Sequence, residues 1–130
     1  MKLRIRGNSL RLRLMRGEVE RFGETGRVTE TIRFGVLPRE QLTYSLEASS
    51  DAKAIGAHFA DNQITVTIPD TMARNWVDSD LITLDSNQPL ETDAPESVLK
   101  ILIEKDFVCL DRKDDPDNAD AFPHPTGKCS

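Results

Sequence analysis

The sequence predicts an α+β domain, mostly β, in which two tandem ββαββ repeats form one pseudo-two-fold small barrel or sandwich, followed by an irregular acidic C-terminal tail. Three observations predict it. Residues 3–32 and 57–86 lie over one another at a constant offset of 54 with no gap: Leu10, Leu12 and Leu14 fall on Ile64, Val66 and Ile68, Val19 on Ala73, Phe22 on Trp76, and Val28 on Ile82. Each block then shows the same order of periods, alternation of two, a short helical stretch, and alternation again. Such an order survives drift that erases residue identity. After an insertion of three residues, Leu42, Tyr44, Leu46 and Glu47 fall on Leu99, Ile101, Ile103 and Glu104. Finally, 130 residues and 14.6 kDa suffice for one modest core and not for two. Two units with one apolar face per element must therefore share it. The expected division is one domain over 1–110, with repeats at 1–50 and 55–107, and a tail over 111–130.

Lys2 to Arg6 alternates strictly, Gly7-Asn8-Ser9 is turn chemistry, and Ser9 to Met15 alternates again, which predicts a β-hairpin. Arg16 to Phe22 spaces Val19 and Phe22 as one helix face would, with Gly23 and Gly26 suited to ending the helix. Val28, Ile32 and Phe34 predict a strand broken on that face by Glu30, and Leu42 to Glu47 another. The second copy runs Ile55 to Phe59, the turn Asp61-Asn62, and Gln63 to Ile68. A helix follows, with Pro69 expected in its first turn, where a missing N–H has no partner anyway, and Asp70 at its positive end. Strands Leu81 to Leu84 and Val98 to Phe107 complete it, with Asp85 to Ser97 expected as an acidic loop. Phe22 and Trp76 are expected as core anchors.

Apolar residues make up 38% and charged residues 30%, ordinary for a globular protein, and no run approaches the roughly 18 apolar residues of a membrane span. No secretory signal is read at the basic N-terminus, so the cytoplasm is the expected location. Cys109 and Cys129 would staple only the tail, and no disulfide framework is expected. The net charge of −5 conceals a division: residues 1–46 hold ten Lys or Arg against five Asp or Glu (+5), and residues 47–130 hold seven against seventeen (−10). A partner's view of the protein depends on which half it meets.

The segments Gly7-Asn8-Ser9-Leu10-Arg11-Leu12-Arg13-Leu14 and Asn62-Gln63-Ile64-Thr65-Val66-Thr67-Ile68-Pro69-Asp70-Thr71-Met72-Ala73 resemble the swapped-hairpin units of bacterial transition-state regulators and MazE-type antitoxins. The first copy departs from the pattern with Met15 where Pro is expected. The resemblance implies hairpins that interleave and a dimer that binds DNA, here supplied by one chain as a fused pseudo-dimer. The whole chain, from Lys2-Leu3-Arg4-Ile5-Arg6-Gly7-Asn8 to Glu104-Lys105-Asp106-Phe107 and Phe122-Pro123, also resembles a family of small uncharacterised bacterial proteins. That resemblance implies no function.

With Leu3, Ile5, Leu10, Leu12 and Leu14 toward the core, alternation puts Lys2, Arg4, Arg6, Arg11 and Arg13 together on the other face. Guanidinium groups grip phosphates in bidentate fashion, so these five residues are the candidate anion- or nucleic-acid-binding site. The plainer reading is a solvated sheet face, or one covered by the acidic half. The corresponding positions in the second copy are Gly56, His58, Ala60, Thr65 and Thr67, so the two-fold basic surface that a palindromic operator needs is missing.

A second candidate lies in the tail, where Cys109, His124, Cys129, Asp117 and Asp120 offer thiolate, imidazole and carboxylate as metal ligands. Neither paired Cys-x-x-Cys spacing nor an EF-hand glycine and closing glutamate accompanies them, and a solvated acidic extension is the plainer reading. Neither His58 nor His124 stands in a nucleophile motif, and Gly-x-Ser-x-Gly, His-Glu-x-x-His, phosphate-loop and dinucleotide fingerprints are absent. Cys109 as a nucleophile would need one of those histidines beside it; packing at a strand end is the simpler role. Glu47 and Glu104 recur at matching places, as a carboxylate pair or as two strand-end glutamates. The expected function is non-enzymatic binding with no cofactor. The partner is a protein, a nucleic acid or a second copy in a homodimer, and a DNA-binding or antitoxin-like regulator and a metal-dependent enzyme are the alternatives.

Overall fold

The computed structural model describes residues 1–90 and 97–106. Its elements follow in the order β1 (Lys2–Ile5), β2 (Ser9–Leu14), α1 (Arg16–Thr25), β3 (Arg27–Arg33), β4 (Gln41–Ser49), β5 (Gly56–Ala60), β6 (Gln63–Pro69), α2 (Asp70–Asp78), β7 (Thr83–Pro89) and β8 (Val98–Lys105), with a 3-10 turn at Pro38–Glu40. The fold is α+β and mostly β. Four strand pairs are hairpins, and their turns follow local chemistry. Gly7 at φ +54° opens the two-residue turn between β1 and β2, where Arg6 and Ser9 exchange backbone hydrogen bonds. Asp61 and Asn62, both at positive φ (52° and 62°), make the turn between β5 and β6 in the conformation whose twist matches the flanking strands.

The hairpins combine into two four-stranded sheets, β1-β2-β8-β7 and β3-β4-β6-β5. Each sheet takes one hairpin from the first half of the chain and one from the second, joined by a parallel pairing at the centre: β2 on β8, with Leu10 beside Ile101, and β4 on β6, with Tyr44 beside Ile64. Inward-facing residues of both sheets form a single core that includes Leu12, Leu14, Val28, Leu46, Val66, Ile68, Ile101 and Ile103, each at most 2% exposed. At about 25 cal/mol per Å² of apolar surface, this shared interior is the main stabilising element. The helices lie at one end, where Phe22 and Trp76 pack edge to face, and the hairpin turns lie at the other.

The two sheets do not close into a barrel, which corrects that part of the expectation. Closure would require an edge strand of one sheet to ladder with an edge of the other. Instead a side chain meets the seam between β5 and β7: the Ala57 N–H donates to Gln88 Oε1 at 2.6 Å and Gln88 Nε2 donates to the Ala57 carbonyl at 3.0 Å. At the opposite seam the Met1 amino group contacts the carboxylates of Glu18 and Glu30, and the Tyr44 hydroxyl donates to the Met1 carbonyl at 2.9 Å.

Several local expectations also shift. Gly23 does not end α1: it lies inside the helix, where a β-carbon would stand 2.8 Å from Val77 Cγ1, so it is the point of close approach to α2. Gly26, at φ +77°, is the terminator, its N–H returning to the Phe22 carbonyl at 2.8 Å. Pro69 ends β6 and precedes α2 rather than sitting in its first turn. Strand β7 begins two residues later than expected and runs on to Pro89, so the first five residues of the expected acidic loop are strand. The residue opposite Ile103 is Leu84, 7% exposed, whereas Ile82 is 47% exposed. The uniform alignment that set Val28 on Ile82 thus fails between α2 and β7.

Candidate basic face

The arginine face is built by strand register. Across β1 and β2, Lys2 lies opposite Arg13 and Arg4 opposite Arg11, while Leu3 pairs with Leu12 against the core and Ile5, expected there too, pairs with Leu10 but stays 61% exposed because it stands at the turn end. The parallel joint then sets Arg11 beside Leu102, Arg13 beside Glu104 and Ser9 beside Lys100. Lys100 therefore joins the five cations expected from the sequence, with Arg6 extending the series at the turn. On the same face, β7 contributes Asp85 and β8 contributes Glu104, with Asp106 just beyond. Among the described residues, six cations and three anions stand on this side of the sheet. Like charges placed directly opposite oppose pairing by a few tenths of a kcal/mol or more, so the face stands only because other contacts hold it.

Glu104 is one of those contacts. Its Oε1 lies 2.6 Å from Arg13 Nε and 3.6 Å from Arg11 Nε, with the three side chains only 15–23% exposed. Asp106 supplies another, its carboxylate 3.3 Å from Lys2 Nζ and its side chain 6% exposed. Glu104 and Asp106 bring carboxylates to the end near the helices, and Arg4 and Arg6 lie exposed toward the turn. The sequence reading missed Lys100 and the part played by Glu104; alternation along Val98–Lys105 carried the signal, and only the parallel joint to β2 made it legible.

The outer face of the second sheet differs. Thr29, Thr31, Thr43, Ser45, Thr65 and Thr67 line it, with Thr29 Oγ1 and Ser45 Oγ 3.0 Å apart and Thr31 and Thr43 hydroxyls likewise 3.0 Å apart. These hydroxyls satisfy one another, and the same face also carries Arg27, Arg33 and Glu47. Glu47, aligned with Glu104, does not approach it as a carboxylate pair; it accepts from Arg27 at 3.1 Å on this sheet. His58 is exposed on β5 beside Phe59, in a cleft of about 270 Å³ at the turn end. Among the described residues no group of three or more His, Cys, Asp or Glu comes together to hold a metal. Cys109, Asp117, Asp120, His124 and Cys129 lie outside the described residues.

The other charged group with altered chemistry is at the seam near α1. Burial works against the Met1 ammonium, but hydrogen bonds to Glu18 and Glu30 outweigh it and hold the group above its ordinary value of 8.0. Burial likewise pushes Glu18 up, yet the Met1 ammonium and the Met15 N–H, which donates at 2.9 Å, bring it below its usual 4.5. Burial, reinforced by Glu30 and Glu18, raises the Tyr44 phenol.

The model of DUF7009, a family of unknown function, matches residues 1–126. The chain belongs to that family. This DUF7009 member is matched by no curated protein and by no solved structure. The family description carries no link to swapped-hairpin regulators. Among the described residues no helix is long and apolar enough to cross a membrane.

Proposed function

We propose that this DUF7009 chain is a non-catalytic binding module whose working surface is the outer face of β1, β2 and β8, and whose partner is a phosphate-bearing polyanion. The observation that carries the reading is the placement of Arg4 opposite Arg11 and Lys2 opposite Arg13, joined by Lys100 from the other half of the chain. A fold that concentrates cations against their own repulsion, and orients two of them by a carboxylate, has the makings of a phosphate-gripping surface. Double-stranded recognition through two matched basic surfaces is the weaker alternative, because the positions equivalent to the five cations are Gly56, His58, Ala60, Thr65 and Thr67.

The same reading treats the chain as two fused, equivalent ββαββ units. Its support is in the registers: Lys2 with Arg13 becomes Gly56 with Thr67 when both are moved by 54, and the Leu10–Ile101 joint becomes the Ile64–Tyr44 joint with the halves exchanged. In this view the basic face belongs to one unit alone, as a function acquired after doubling would.

The test is binding of mixed-sequence duplex DNA and of inorganic polyphosphate across a salt series, comparing the native chain with Arg4→Gln/Arg6→Gln. Affinity should fall linearly in log–log form with salt, at a slope of about −0.9 per duplex phosphate neutralised, and the double variant should flatten the slope by about 2. Absence of binding at low ionic strength, or a slope indifferent to both substitutions, overturns the proposal.

A further inference from the structure

We infer that the turn end of the two packed sheets is the contact surface for a second copy of this chain, in a closed two-fold dimer. The interface is independent of the anion-binding reading of the basic face.

On each of the four edge strands the inward side of the pleat carries a core residue and then, closer to the turns, a further apolar residue: Leu3 is followed by Ile5, Val28 by Phe34, Ala57 by Phe59 and Leu84 by Leu90. The ladders hold their register out to these last positions. Ile5 lies opposite Leu10 and Phe59 opposite Ile64, while the N–H groups of Phe34 and Leu90 donate to the Glu40 and Ser97 carbonyls at 2.6 and 3.0 Å. At the helix end the interior is roofed by α1 and α2, whose Phe22 and Trp76 are 2% and 0% exposed. At the turn end no described element takes that place, and Ile5, Phe34, Phe59 and Leu90 are 61%, 73%, 69% and 51% exposed. The hydrophobic pattern of the core thus runs on to a surface.

The size of that surface fits a protein partner. Val36 and Leu37, in the connection from β3 to β4, are 95% and 41% exposed and belong to the same end. At roughly 200 Å² for a large apolar residue left fully exposed, the six residues present about 800 Å², and a stable complex covers about 800 Å² on each partner. A small apolar molecule would fit only part of it. The cleft of about 270 Å³ joins Ile5 to Phe59, but Phe34, Val36, Leu37 and Leu90 do not line it.

Charge selects the kind of partner. Nearest the turns, Arg6, Arg33, Arg39 and Lys100 stand with Glu40 and Asp61, and the sequence between β7 and β8 adds Glu91, Asp93 and Glu96. An anionic lipid surface calls for cations alone. A patch that meets its own copy across a two-fold axis must offer both signs, so that each charge finds its opposite on the other chain, and this end offers both.

Sedimentation equilibrium of the full chain tests the dimer. The native chain should associate with a dissociation constant in the micromolar range or tighter, as interfaces of this area do, and nothing larger than a dimer should form, because an isologous contact closes on itself. Val36→Asp and, separately, Phe59→Ser should each raise that constant at least about tenfold, with circular dichroism unchanged. Val36 is 95% exposed, so its replacement leaves the fold alone. Met15→Ser, at an exposed apolar residue of the helix end, should alter the constant no more than about twofold. A chain still monomeric at about 100 μM, or a dimer indifferent to both turn-end substitutions, overturns the inference. Flotation with phosphatidylcholine–phosphatidylglycerol vesicles and native mass spectrometry cover the other occupants: a monomer that floats has a lipid surface as its partner, a monomer that retains a small apolar molecule has a ligand, and either result overturns the second copy.

Discussion

Phe22 and Trp76 meet edge to face, with ring centroids 6.1 Å apart and planes at 69°, so that each helix is fastened to the other by its largest buried side chain. Trp76 also donates its indole N–H to the Ile82 carbonyl at 3.0 Å and lies beneath the Lys105 ammonium, 5.7 Å from the ring centre. Three elements, α1, α2 and the entry to β7, thus converge on one side chain. Replacing either ring by alanine should cost about 3–5 kcal/mol in urea unfolding. The double variant should lose less than the sum by about 0.5–1.5 kcal/mol, the worth of an aromatic pair beyond its burial. Strict additivity would show that the rings do not support one another.

Gly23→Ala introduces a methyl group 2.8 Å from Val77 Cγ1. In an exposed helix the change would stabilise slightly; here it should destabilise by about 1–3 kcal/mol through overpacking. Adding Val77→Ala should recover most of the loss, and failure to do so would mean that the helices do not approach at this point.

Glu104→Gln removes the carboxylate shared by Arg11 and Arg13 while keeping its shape. Two partly buried guanidiniums then lose their acceptor charge, and unfolding should ease by about 1–3 kcal/mol. The loss should shrink as salt rises. A neutral result at low ionic strength would show that these arginines are held by other groups.

The pH dependence of stability follows from the seam at Met1. Glu18 is lowered in the folded state, so its contribution is present above about 4.5 and is lost as pH falls through its folded value. The Met1 ammonium is raised, so its contribution is complete below about 8.0 and is lost as pH rises through its folded value. Stability should therefore form a plateau between those limits. Glu18→Gln should flatten the acid limb and weaken the alkaline one, as read from urea midpoints across pH. An unchanged acid limb would show that Glu18 is not the titrating partner.

Period and turn chemistry made much of the architecture legible in the sequence. The hairpins at Gly7-Asn8 and Asp61-Asn62, both helices and the buried aromatic pair follow from local pattern. Strand β7 was legible only at its start, because its later inward positions Ser86 and Gln88 are polar. Gln88 turns inward to satisfy the edge of β5, and that need exists only after the sheets meet. Gly23 read as a terminator for a similar reason, since its small size serves a helix distant in sequence. For the basic face, alternation located the cations of β1 and β2. The modulating residues Lys100 and Glu104 come from a strand some ninety residues away, through a parallel pairing no local signal encodes.

Parallel pairing makes each sheet a joint product of the two halves of the polypeptide. The opening hairpin acquires its inner neighbour only when β8 arrives, and β4 acquires its own only from β6. Folding must therefore wait on contacts between remote stretches, which slows it relative to a helical bundle of equal length. A break in the backbone between β4 and β5 should yield two pieces that are each incomplete alone and regain order on mixing, so that the molecule behaves as a heterodimer joined by a peptide bond.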